Sequence, residues 1–312
     1  MKGRKRSGWH KIALAALFTV GNSLIRFPWR SADPGMLTLF FLSSVGALIP
    51  AFLLYPLFRK LFRARLSGNR FHLVLSVFLA LGIGCYAIWC GWKTASDYVR
   101  YTMETILSGE HRMLFCLLFV GCCARLASIS GKGRDVFALL CFAGVSAAVV
   151  FLFAAGFAQF RPSYLTITVP DRFSVLAAVL PSLWMETLLP LTILAAYIAL
   201  SSPGKGARAL AVGTVTGSGL LLLCVLQTLL TFGGSYAATL PYPYSYAVQI
   251  ISVGQYFFRL EGFSYLLDFA ACLIRTSVCL SCAGKLLGRF CPRLGRWVPY
   301  AAGGGILLFL LI

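Results

Sequence analysis

Three charged residues, Glu186, Asp268 and Arg275, lie inside apolar runs that are long enough to cross a bilayer. An ionised group at the centre of a membrane helix is costly, and such residues usually line a cavity, an ion path or a proton path. Glu186 belongs to the stretch LPSLWMETLLP, where Pro181 and Ser182 precede Trp184, Glu186 and Thr187, and Pro190 follows. A second interruption, TVGNSLIRFPW, places Gly21, Asn22 and Ser23 in the first apolar run and ends it at Pro28. Proline removes a helix hydrogen bond and glycine weakens the turn, so backbone groups are freed at both places. Two readings fit: kinks packed against neighbouring helices, or paired breaks whose free backbone groups face a ligand. For Glu186 the alternatives are a carboxyl that takes part in ligand or proton handling and a neutral acid donating one hydrogen bond to the next helix. Asp268 and Arg275 are seven residues apart, hence on one helical face but about 10 Å apart along the axis, too far for a direct ion pair. Each needs its own partner or a bridging group.

The elements that carry these residues follow from composition. The 312 residues are 59% hydrophobic and 12% charged, against about 45–50% and about 25% for soluble domains. The apolar runs are continuous rather than alternating, which points to helices and away from a β-barrel. Nine spans are predicted, at 12–29, 36–58, 71–92, 112–130, 135–159, 173–200, 209–232, 262–287 and 297–312. The basic, then apolar, N-terminus resembles a signal peptide, but without a small-residue cleavage site it reads as a retained first span.

Most of the 28 lysines and arginines then fall on the N-terminal side of the membrane. This is the asymmetry of a cytoplasmic N-terminus. Arg125, Lys132 and Arg134 count among these inner charges, whereas Arg112, Asp97 and Glu104 fall in outer loops. The net charge of +19 thus faces the cytoplasm and anionic lipid, and nucleic acid is not needed to explain it. The 11 cysteines lie mostly in apolar runs and read as small hydrophobes; Cys279 and Cys282 form a CxxC with no second pair, so no metal or other cofactor is expected. No histidine in a span core, no paired carboxylates on one helix and no nucleophile motif argue against an enzyme.

Span 1 enters from inside and span 6 from outside, so a five-helix unit repeated between them is inverted, the usual plan of secondary transporters. The chain is then one transmembrane domain, 1–312, with a first repeat at 1–160 and an incomplete second repeat at 161–312. The pair Gly213 and Gly217 in GTVTGSG predicts close helix packing. The segment from Gly233 to Glu261 reads as an outer hairpin over the pathway, or a plain surface helix, with PYPY resisting helix before SYAVQIISVGQYFF.

The run PYPYSYAVQIISVGQYFFRLEGFSYLLDF resembles the signature of the spore germination permeases, the membrane-embedded B subunits of germinant receptors. Ile251, Ser252, Val253, Gly254, Arg259, Leu260 and Glu261 carry the likeness. Arg275 stands where a lysine is more usual, and the span 6 acid and the Gly21 break also fit. The resemblance implies a member of the amino acid–polyamine–organocation transporter superfamily, some of whose sodium-independent members put a basic side chain where a coupling sodium would sit, and so implies that Arg275 faces the core near the first span. Membership carries with it a five-plus-five inverted fold, a site between spans 1 and 6, an amino acid or similar nutrient as ligand, and A- and C-type receptor subunits as partners in a bacterial cell or spore inner membrane. The chain departs from the family in having nine spans rather than ten, in Asp268, where an aromatic is usual, and in Leu183–Met185 before the span 6 acid. A proton-coupled amino acid transporter and a non-transporting scaffold remain as alternatives.

Overall fold

The computed structural model describes residues 3–21, 23, 25, 53–63, 70–107, 111–164, 189–201, 206–251, 260–289 and 291–311. Among them the regular structure is helical: α1 (Gly3–Val20), α2 (Tyr55–Arg63), α3 (Arg70–Thr105), α4 (Arg112–Ser128), α5 (Gly131–Ala155), α6 (Leu189–Ser201), α7 (Gly206–Phe232), α8 (Pro243–Gln249), α9 (Glu261–Leu287) and α10 (Pro292–Leu311). Single turns at Gly156–Gln159, Pro162–Tyr164 and Gly234–Ala237 join them. Four helical stretches, Ser76–Thr105, Gly131–Gln159, Gly206–Phe232 and Glu261–Leu287, are long and apolar enough to cross a membrane. Large apolar side chains such as Phe78, Leu114, Leu140 and Phe309 point out of the bundle. A soluble protein seldom leaves so much apolar surface bare, whereas lipid covers it without penalty. These are the properties of a membrane-embedded helical protein.

Burial ranks the helices. The most apolar stretch of α9 is 83% buried, whereas that of α5 is 22% buried. Helix α9 is thus the central post, packed by α1, α3, α4, α5, α6 and α10, and α5 is peripheral. Helix α1 packs against α7, α5 and α9. Its apolar face, Leu14, Leu17 and Phe18, is buried.

The α1–α7 contact is backbone against backbone. A Cβ at Gly213 would come within 2.6 Å of the Ile12 carbonyl, and one at Gly217 within 2.6 Å of the Ala16 carbonyl. The two glycines one turn apart therefore set how closely the helices approach, as the small-xxx-small spacing predicts. Gly217→Val should force α7 off α1 and lower stability by about 1–3 kcal/mol. Thermal unfolding in detergent reads this, and an unchanged midpoint would mean that the helices separate without loss.

Three sequence expectations change. Span 3 was predicted to end at residue 92, with Asp97 and Glu104 in a loop. Instead α3 continues unbroken to Thr105, 36 residues in all, and buries Asp97. Nothing between Trp92 and Thr105 breaks a helix; the charges there mark a change of solvent, not of backbone. In PYPY, Pro243 opens α8 rather than resisting it, because the first helical position needs no N–H. Arg134, expected among the inner charges that face the cytoplasm and anionic lipid, instead has its side chain almost wholly buried. It donates to the carbonyls of Leu126 at 3.2 Å, Ala127 at 3.0 Å and Ile129 at 3.1 Å, and to the Tyr197 hydroxyl at 3.1 Å. These are the last carbonyls of α4 and the turn after it, which have no partners within a helix.

Candidate functional site

Helix α1 stops where the sequence places its break. The Gly21 amide makes a last helical bond to the Leu17 carbonyl at 2.8 Å, and the Ser23 amide turns back to the Val20 carbonyl at 3.0 Å. The Ser23 hydroxyl donates to the Thr19 carbonyl at 2.8 Å, and the Thr19 hydroxyl to the Ala15 carbonyl at 2.9 Å. Side chains thus take up carbonyls in the last turns. At Gly21 the chain lies directly on α9. A Cβ there would sit 2.7 Å from the Ala271 carbonyl oxygen and 2.9 Å from the Cβ of Arg275, so the contact demands glycine.

Arg275 comes from α9 to meet this end. Its Nη1 donates to the Gly21 carbonyl oxygen. Its guanidinium carbon lies 5.4 Å from the centre of the Phe18 ring, and Nη2 is 4.0 Å from the Cys90 sulfur on α3. Cys279, one turn further along α9, is set against Cys90 as well. A buried guanidinium is tolerable here because three compensations converge. The C-terminus of α1 carries partial negative charge, the freed carbonyl needs a donor, and the ring face attracts a cation. Arg275 therefore faces the core beside the first span and ties α1, α3 and α9 together at one point.

Asp268, two turns away on the same helix, has different surroundings. It is buried against the Tyr101 hydroxyl of α3, towards the end of the bundle where α3 finishes and α9 begins. At that end the Tyr242 hydroxyl donates to Glu104 Oε2 at 2.6 Å, and Arg100 bridges to Glu104 Oε1 at 3.0 Å. Burial and the Glu104 carboxylate push the Tyr242 phenol up from its ordinary value, so it stays a donor. This bond holds the start of α8 across the end of α3. At the opposite end Lys285 donates to the Ser201 hydroxyl at 2.6 Å and lies over the Tyr197 ring at 4.1 Å.

Of the residues that sequence singles out, Gly21, Ser23 and Arg275 come together, and Asp268 stands apart from them. Asn22, Pro181, Ser182, Trp184, Glu186 and Thr187 lie outside the described residues, as does the Ser252–Arg259 part of the signature. Sequence reasoning missed Tyr101, Tyr244 and Cys90 near these charges. Only the recurrence of tyrosine in α3, at Tyr98 and Tyr101, hints at polar groups facing inward. Neither protein-family models nor curated proteins give a match to this chain.

Proposed function

We propose that the protein is a permease-like membrane subunit that binds a small nutrient, an amino acid or similar solute, at the break in α1. Its setting is a spore germinant receptor, with A- and C-type subunits as partners. The observation that carries the reading is the end of α1 at Gly21, inside the bundle, with its carbonyl taken by the buried Arg275 of α9. A helix that ends inside an apolar bundle has backbone groups to satisfy, and in transporter folds such ends meet the solute. The neighbouring Asn22, with Glu186 and its flanking residues on the sixth predicted span, would complete the site. In this reading the nine spans form two inverted repeats, 1–160 and 161–312, with the N-terminus in the cytoplasm. Binding triggers germination by favouring one conformation of the bundle, which requires tighter binding to that state.

The test is an amino acid panel on the detergent-solubilised protein, read by thermal unfolding. A binder at a hundredfold excess over its Kd should stabilise the wild type by about 2.7 kcal/mol. Asn22→Ala and Glu186→Gln should weaken that response at least tenfold. An equal response in both variants would overturn the site. Uptake of the same solute into proteoliposomes would make the protein a transporter rather than a sensor.

A further inference from the structure

Asp268 is 4% exposed, and among the described residues no lysine or arginine lies within ion-pair distance of it. What surrounds it is a set of rings and hydroxyls drawn from other helices. Tyr98 and Tyr101 of α3, Tyr244 of α8 and Cys224 of α7 all lie within electrostatic reach of its carboxyl. Ser245 of α8 approaches the Tyr101 hydroxyl. The hydroxyls of Tyr101, Tyr244 and Ser245 are buried and none makes a hydrogen bond of normal geometry, although Tyr101 lies beside Asp268 and Ser245, and Tyr244 beside Cys224; each residue is less than 5% exposed. Buried polar groups are almost always paired. Three without such a bond, beside a buried acid from a separate helix, mark a place built for something else.

The chemistry of the walls says what that is. Water would satisfy the hydroxyls, but an ionised carboxylate here would still find no counter-charge among the described residues. Among the described residues no three His, Cys, Asp or Glu side chains converge as a metal set. The rings are close: Tyr101 lies 4.8 Å from Tyr242 edge to face and 5.8 Å from Tyr265, and Tyr98 lies 4.9 Å from Phe119. An alkylammonium group matches both features. Its N–H groups reach a carboxylate and neutral oxygens, and its charge is attracted by aromatic faces.

We propose that Asp268, with Tyr101, Tyr244 and Ser245, forms a binding site for an alkylammonium group, roofed by α8 at the Glu104 end of the bundle. The site is separate from the α1 break and does not rest on the function proposed above. Helix α8 is held over it by the Tyr242–Glu104 bond, so access requires that α8 lift or that the ligand pass beside it.

The ammonium can belong to a simple amine or to the α-amino group of an amino acid. The full chain in detergent should be titrated with n-butylammonium chloride, norleucine, NaCl and KCl at equal ionic strength, with thermal unfolding as the readout. Butylammonium should raise the unfolding temperature saturably over KCl. Asp268→Asn, which keeps the shape of the side chain, should abolish that rise, and Tyr101→Phe should weaken apparent affinity about tenfold. Size-exclusion profiles like the wild type's establish that both variants fold. A norleucine response lost along with that to butylammonium assigns the amino group of amino acids to this site. A norleucine response that survives Asp268→Asn belongs to the α1 break, so the two sites fail or stand separately. The proposal is overturned if butylammonium has no effect on the wild type, if sodium alone stabilises it, or if Asp268→Asn responds as the wild type does.

Discussion

Arg275→Ala should destabilise the detergent-solubilised protein by roughly 3–5 kcal/mol. Part of this comes from leaving the Gly21 carbonyl buried without a donor, about 1–3 kcal/mol. The rest comes from the space left by the side chain between Phe18, Cys90 and Gly21. Two further variants separate these contributions. Arg275→Met keeps most of the volume but no donor, and should still lose about 1–3 kcal/mol. Arg275→Lys keeps a charge and one donor but not the planar fork, and should fall between methionine and the wild type. Unfolding followed by tryptophan fluorescence measures all three. A methionine variant as stable as the wild type would show that the bond to Gly21 contributes nothing, and the account of the α1 end would fail.

Arg134→Ala should be comparably severe, at roughly 3–5 kcal/mol, for a different reason. That guanidinium serves three carbonyls at the end of α4 and the Tyr197 hydroxyl of α6. Hydrogen bonds to a charged group contribute about 1.5–3 kcal/mol each before the loss of neighbours is shared among them. Tyr197→Phe removes one partner and should cost about 1 kcal/mol. The loss should be local first, so limited proteolysis of Arg134→Ala should cut the turn between α4 and α5 faster than the wild type is cut. A stability change under about 1 kcal/mol, or an unaltered cleavage pattern, would show that these bonds do not hold the end of α4.

A common device links these arginines. Arg275 binds the carbonyl beyond α1, Arg134 the last carbonyls of α4, and Arg112 the Leu310 carbonyl at the end of α10, at 2.9 Å. Each supplies donors and positive charge to a helix C-terminus. Part of the basic character of this chain is therefore spent on helix ends rather than on lipid or cytoplasm.

That use explains what could be read from the sequence. Apolar runs marked the helices, and the Gly213–Gly217 spacing marked a close contact, because both depend on residues near in sequence. Arg275 could be read as an interior charge because it lies in the middle of an apolar run, but its place beside the first span was expected from the family resemblance alone. Arg134 could not, since a charge near the end of a run has two equally natural destinations and only the neighbouring helix decides. The extension of α3 was hidden for a similar reason: hydropathy reports where lipid stops, not where hydrogen bonding stops. Asp268 was visible as a charge, but its hydroxyl neighbours come from α3 and α8, more than a hundred residues apart in the chain, and no local pattern joins them. The Glu186 half of the candidate site lies outside the described residues.

The length of α3 has a mechanical meaning. Its 36 residues extend about 54 Å, against a hydrocarbon thickness of roughly 30 Å. Such a rod must lean or stand proud of the bilayer. Along one side of it Cys90 meets Arg275, Tyr101 faces Asp268, and Glu104 holds Tyr242. These three points are rigidly spaced on a single shaft, so a change of lean displaces each by an amount set by its distance from the pivot. A change in the lean of α3 would therefore be felt at Arg275, Asp268 and Tyr242 together.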